Sequence, residues 1–123
     1  MEDMERYVDG FLIPIPKDKV NQYREIAQKA GKVWKEYGAL EYYECIGDDL
    51  DIEGIVSFKQ AADTSVDETV VFSWIVYESK EQRDRINEKV MDDPRIKEMM
   101  ESGPELFDYS RMAYGGFKTL VRF

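Results

Sequence analysis

The chain reads as an α+β protein of the ferredoxin-like βαββαβ type, an antiparallel sheet with its helices on one face. Three observations predict this. Four segments carry period-two or continuous apolar patterning: Tyr7–Ile15, Leu40–Ile46, Thr69–Tyr77 and Met112–Phe123. Two segments carry helical spacing, Lys17–Tyr37 and Lys80–Met91, and each follows a strand so that the order is strand, helix, strand, strand, helix, strand. Finally, Thr69–Tyr77 (TVVFSWIVY) is almost continuously apolar, the pattern of a strand buried on both faces. The sheet face away from the helices therefore needs a cover that one copy of the chain does not contain.

The first strand alternates Tyr7, Asp9, Phe11 and Ile13 against Val8, Gly10 and Leu12. Asp9-Gly10 has the composition of a hairpin turn. Met1–Val8 is too short and polar to supply a partner strand, however, so a continuous strand with a kink or bulge at the glycine is expected. Pro14 and Pro16 should end it. The next segment places Val20, Tyr23, Ala27, Ala30, Trp34 and Tyr37 at spacings of three and four, one apolar stripe on a helix. Gly31 beside that stripe costs about 1 kcal/mol of helix propensity, which close approach of helix to sheet would explain. Gly38 fits the left-handed position just past the helix end.

Gly47–Thr64 reads as a long polar connection with a short strand at Ile55–Phe58. Ser79 and Gln82 have the spacing of a capping box opening the second helix, whose buried positions are expected to be Ile86, Val90 and Met91. Asp93-Pro94 reads as an N-cap followed by proline at the first helical position, starting a short helix that Gly103-Pro104 breaks.

With 123 residues, 43% of them hydrophobic, the chain suits one domain, residues 1–123, with a packed core. No apolar run approaches the roughly 20 residues that cross a bilayer, and Met1–Arg6 lacks the features of a signal peptide. The single cysteine forms no internal disulfide, so a cytoplasmic location is expected. A net charge of −9 argues against nucleic acid as a partner. That charge is unevenly placed: Lys17–Glu36 holds six basic and three acidic side chains, whereas Glu41–Glu53 holds six acids and no base. Histidine is absent, which removes the usual neutral-pH general base, the commonest metal ligand and the usual proximal haem ligand. Serine–histidine and cysteine–histidine nucleophiles cannot be assembled from this chain.

The segments YVDGFLIPIPK, KAGKVWKEYGALEYYEC, DETVVFSWIVYESKEQRDRINEKVMDDPR and YGGFK closely resemble the YbaA-like family of small bacterial proteins of unknown function, over Tyr7 to about Val121. The resemblance implies the dimeric α/β-barrel superfamily, in which two ferredoxin-like protomers pack sheet against sheet around a barrel. That superfamily includes cofactor-free monooxygenases, haem-degrading enzymes and lactone isomerases. The family carries no established role, so no residue inherits a catalytic label. The apolar face left open by the strand pattern agrees with a two-fold homodimer.

Three residues are candidates for chemistry. Asp9 is a carboxylate inside an apolar strand; burial demands a partner or a raised pKa, and it suits a general base or a structural hydrogen-bond acceptor. Lys118 shares parity with Met112, Tyr114 and Gly116, and would compensate Asp9 or Glu44, bind an anionic ligand, or lie solvated at the rim. Glu44 is the third, placed with Tyr42 in Asp9's layer, although parity alone leaves Glu41, Tyr43 and Cys45 as the alternative inward set. Tyr7, Tyr42, Trp74 and Tyr114 are candidates for an aromatic ligand pocket or for aromatic core. Cys45 has no basic sequence neighbour and reads as an inert thiol. Asp48, Asp49, Asp51 and Glu53 lack calcium-loop spacing, so no metal or other cofactor is expected. Gly115-Gly116 suits a bulge or close aromatic packing.

Two functions fit these residues. One is a small-molecule barrel holding a compact apolar or aromatic ligand, a cofactor-free monooxygenase- or isomerase-like enzyme. The other is a non-catalytic dimeric sensor or partner-binding module with a side-chain-filled barrel. A cavity of at least ~300 Å³ with convergent polar groups distinguishes the first from the second.

Overall fold

The computed structural model describes residues 5–102 and 105–123; the break expected at Gly103-Pro104 lies outside them. Four strands, β1 (Tyr7–Pro16), β2 (Glu41–Ile46), β3 (Glu68–Tyr77) and β4 (Ala113–Lys118), form an antiparallel sheet in the order β2-β3-β1-β4. A 3-10 turn leads into helix α1 (Val20–Glu36), and α3 (Lys80–Asp92) and α4 (Pro94–Ser102) follow β3. This is the ferredoxin-like order that the sequence pattern predicts.

The odd-numbered residues of β1 and β3 face the helices. Ile75 and Tyr77 pack with Val33 of α1, Ile86 and Val90 of α3 and Ile96 of α4, while Ile13, Ile15 and Val71 form a second cluster reached by Val20 and Tyr23. Each large apolar side chain buried there contributes about 1.5–3 kcal/mol. Met91, expected in this core, instead stays 44% exposed.

Pairing of β1 with β3 runs unbroken from Tyr7↔Tyr77 to Pro16↔Glu68, so no bulge occurs at Gly10. The glycine makes room for an aromatic ring: a Cβ there would lie 3.3 Å from Phe117. Pairing of β1 with β4 ends at Leu12↔Ala113. Beyond Leu12 one edge of β1 has no partner strand among the described residues, and such an edge tolerates Pro14 and Pro16 within the strand. β4 stops at Lys118, short of the expected Phe123, because Thr119 turns onto Arg6; its N–H and hydroxyl both donate to the Arg6 carbonyl, at 3.0 and 2.7 Å.

Local chemistry sets the remaining boundaries. Gly38 adopts φ +115° after α1, the left-handed cap that its position predicts. Ile55–Phe58 is not a strand. Ser57 and Gln60 close a capping box there and start α2 (Phe58–Ala61), with Ser57 Oγ accepting from Lys59 N at 2.9 Å and Gln60 Oε1 from Ser57 N at 3.1 Å. Ser79 caps α3 as expected, but Gln82 reaches past it to accept from Glu78 N at 2.8 Å. Asp93 Oδ1 accepts from Arg95 N at 2.8 Å and caps α4.

The other sheet face carries the even-numbered residues of β1 and β3 with Tyr43 and Phe117. Tyr43 stacks on Trp74 at 4.9 Å and Phe58 packs on Phe72 at 5.6 Å. Tyr43, Phe72 and Phe117 nonetheless stay 45–60% exposed.

Candidate functional site

Cross-strand pairing gathers polar side chains on the helix-covered face. Asp9 lies opposite Ile75 and Gly116, Ile75 opposite Tyr42, Phe11 opposite Tyr114, and Ser73 opposite Glu44. Residues opposite one another share a sheet face. The helices do not close over this row completely. Between sheet and helices lies a cavity of about 400 Å³, with Asp9, Tyr42, Glu44 and Tyr114 in its floor. Its roof comes from Ala30 and Trp34 of α1, Asn87 and Met91 of α3, Met99 and Met100 of α4, and Phe107 and Met112 from the segment before β4.

Asp9 is only 1% exposed. Its Oδ1 lies 3.2 Å from Arg83 Nη1 yet receives no hydrogen bond. The guanidinium points its donors elsewhere: Nη1 donates to Tyr114 Oη at 2.7 Å and Nη2 to Tyr7 Oη at 3.3 Å, with Cζ 4.9 Å above the Tyr7 ring. Gly116 allows this arrangement, since a Cβ there would run into the Tyr7 ring. Burial pushes the Asp9 carboxyl above its usual range; Arg83 and the side chains of Tyr114, Tyr77 and Asn87 oppose that shift without cancelling it. Burial, then the charge of Asp9, raises the phenols of Tyr77 and Tyr114 as well. Trp34 Nε1 donates to Tyr77 Oη at 3.1 Å and Asn87 Oδ1 at 3.2 Å, tying α1 to α3 above the site.

At the β2 side, Glu44 is held by two hydroxyls. Tyr23 donates to Oε1 and Tyr42 to Oε2, each at 2.6 Å. Burial, reinforced by the Glu44 charge, drives both phenols far above their usual pKa, so they remain donors. Gly31 permits the Tyr42 ring to lie flush on α1, the close approach that its place in the stripe predicts; a Cβ at that position would fall 2.7 Å from the ring.

The structure thus brings four of the sequence candidates together, Asp9, Glu44, Tyr42 and Tyr114, but on the helix-covered side of one chain. The face that two copies would enclose is the other one. Tyr7 stands behind the cavity wall, holding Arg83. Trp74 is on the open face, stacked on Tyr43, and does not reach the cavity. Lys118 is exposed at the end of β4, and Arg83 rather than Lys118 pairs with Asp9. Among the described residues, no group of three or more Cys, Asp or Glu side chains is placed to hold a metal ion.

Arg83, Asn87, Tyr23 and Tyr77 are absent from the sequence candidates. A signal for two of them was present. Arg83 and Asn87 join Ile86 and Val90 at helical spacings of three and four, which places both polar residues on the sheet-facing stripe.

Comparison with known proteins agrees with this architecture. The Escherichia coli (strain K12) protein named "Uncharacterized protein YbaA" is 48% identical over 116 residues, covering 94% of this chain and 97% of its own. Among solved structures, a NIPSNAP family protein of unknown function from Agrobacterium tumefaciens superposes with a TM-score of 0.58 at 12% identity, covering 93% of this chain and 87% of its own. A Nitrosomonas europaea chain named "Putative antibiotic biosynthesis monooxygenase" gives 0.59 at 9% identity, covering 94% and 90%. Such low identities speak for the fold alone. Residues 6–109 match the family described as "Protein of unknown function (DUF1428)", and with its YbaA relative nearly half identical end to end, the chain belongs to that family.

Proposed function

We propose that this protein binds a compact, largely apolar or aromatic small molecule in the cavity above Asp9, and that Asp9 moves a proton to or from it. One observation carries the reading: a buried carboxylate, its Oδ1 ion-paired with Arg83 at 3.2 Å but without a hydrogen-bond donor, stands in the floor of an apolar cavity of about 400 Å³. An unsatisfied buried acceptor is costly, and a bound donor or acidic C–H relieves it. The raised pKa brings Asp9 towards the range in which a general base both accepts and returns a proton. Arg83 and Tyr114 fix its surroundings.

In an isomerase-like reaction Asp9 takes a proton from one ligand atom and returns it to another. In a monooxygenase-like reaction, the kind named for the Nitrosomonas europaea neighbour, the ligand carbanion left by that transfer gives its electron pair to dioxygen as second substrate. A C–O bond forms, the proton held by Asp9 completes a hydroperoxide, and loss of water leaves one oxygen on the ligand as a carbonyl. The cavity lies on the helix-covered side, so its volume supports a ligand site within one chain and does not bear on how a barrel between two copies would be filled.

The molecule in this reading is a homodimer joined through the open sheet face, where Tyr43, Phe72 and Phe117 stay exposed together. A free cysteine suits the reducing cytoplasm.

Native mass spectrometry of protein purified from its own host, followed by Asp9→Asn, tests the proposal. The expected result is a dimer carrying a defined ligand mass, with Asp9→Asn preserving the dimer and lowering turnover of that ligand about 10²–10⁴-fold. Loss of folding with unchanged ligand behaviour in the surviving protein would make Asp9 structural and overturn the reading.

A further inference from the structure

We infer that the ligand carries a positively charged nitrogen, an ammonium seated against Glu44, on an apolar or aromatic body. The inference rests on the reading of the cavity as a ligand site and adds the charge of what enters it. Two carboxylates line the cavity and no lysine or arginine does, counting the described residues. The two acids are not equivalent. Asp9 has Arg83 behind it at 3.2 Å, whereas Glu44 makes no salt bridge among the described residues and is held by neutral hydroxyls alone. Two phenol donors occupy one lone pair on each oxygen and leave another on each. Neutral hydroxyls supply no counter-charge, so the carboxylate attracts a cation that enters the cavity.

The surroundings of Glu44 suit such a cation. Trp34 and Tyr42 stand with ring centroids 6.1 Å apart, and Tyr23 meets Phe107 at 6.0 Å, so the two phenols that hold the carboxylate belong to a group of aromatic rings lining the cavity. Aromatic rings lining a cavity that also holds a carboxylate favour an ammonium group, which the ring quadrupole attracts as well as the charge. An anionic ligand meets repulsion from both acids, and a net charge of −9 steers cations towards the protein. Tyr23, Ala27, Tyr42 and Glu44 also form one wall of a more open groove beside α1 and β2. Arg24, Lys32 and Lys35 line that groove, and none of them is ion-paired with Glu44.

The test is a charge series of one shape, titrated calorimetrically into the full-length protein at neutral pH and low salt: tryptamine, tryptophol and indole-3-propionate. Tryptamine should bind at least about tenfold more tightly than tryptophol, with indole-3-propionate weakest. Glu44→Gln should bring tryptamine down to the level of tryptophol while leaving tryptophol unchanged. The wild-type series decides the charge preference even where Glu44→Gln fails to fold. Tryptophol binding as well as tryptamine, or indole-3-propionate binding as well as either, overturns the ammonium inference and leaves the cavity reading standing. An undiminished tryptamine affinity in Glu44→Gln overturns the seat at Glu44. Binding of none of the three overturns inference and cavity reading together.

Discussion

Replacing Gly31 by alanine sets two effects of opposite sign against each other. Helix propensity favours alanine by about 1 kcal/mol in mid-helix. The new Cβ, however, would sit 2.7 Å from the Tyr42 ring, where ordinary contact begins at 3.4 Å, so the ring must retreat by about 0.7 Å. That ring is tethered at its far end by the 2.6 Å hydrogen bond to Glu44, which a rigid retreat of the same size stretches to about 3.3 Å. Overpacking of this kind costs about 1–3 kcal/mol, and weakening a bond to a carboxylate adds about 1 kcal/mol. The clash wins. Gly31→Ala should lose about 1–3 kcal/mol, a drop in Tm of roughly 4–12 °C for a chain of this size, read by thermal and urea unfolding at fixed protein concentration. In a double-mutant cycle, Gly31→Ala in a Tyr42→Leu background should recover most of that loss, since no ring remains to collide with. An alanine variant as stable as the parent, or more so, would refute both the packing at Gly31 and the tethering of Tyr42.

Two further outcomes follow from the geometry. Glu68 receives both guanidinium arms of Arg111, at 2.8 and 2.9 Å, and this pairing holds its carboxyl down at about 2 against a usual 4.5. A lowered folded pKa gives stability that is complete above pH 4.5 and lost as pH falls towards 2. Glu68→Gln should therefore cost about 1–2 kcal/mol at pH 7, discounted for the partial exposure of Arg111, with the gap to wild type closing by pH 2 in urea titrations. On the open face, Phe117→Asp should give a folded particle of 14.4 kDa in sedimentation velocity, with wild type at twice that mass; wild type sedimenting at 14.4 kDa at micromolar concentration would remove the proposed dimer.

The order of elements was legible because hydrophobic periodicity switches cleanly between two and 3.6 along this chain, and local punctuation at Gly38, Ser79 and Asp93 marks helix ends by chemistry that acts over a few residues. Ile55–Phe58 misled because its apolar run is short and a Ser57–Gln60 capping box outweighs it. The end of β4 depends on where β1 begins, a long-range fact that Met112–Phe123 does not encode by itself. The site was half legible. Tyr42 and Glu44 share one parity within β2, and Asp9 and Phe11 one within β1, but which parity of each strand meets the other, and which face the helices cover, is decided by register and packing. Trp74 falls on the opposite face from Asp9, Tyr42 and Glu44 for that reason. Arg83 hid because an arginine on a helix normally reads as solvated, and only the carboxylate across the sheet makes its direction meaningful.

The chain's two tryptophans fall on opposite sides of its sheet. Trp34 stands at the cavity with its indole N–H shared between Tyr77 and Asn87, while Trp74 lies flat on Tyr43 on the far surface. Nature has therefore supplied one intrinsic fluorophore per compartment. With Trp74 changed to phenylalanine, emission should report whether the proposed ligand enters the cavity; with Trp34 changed instead, it should report whether the proposed second copy covers the far face, and the two proposals can be tested separately without any attached dye.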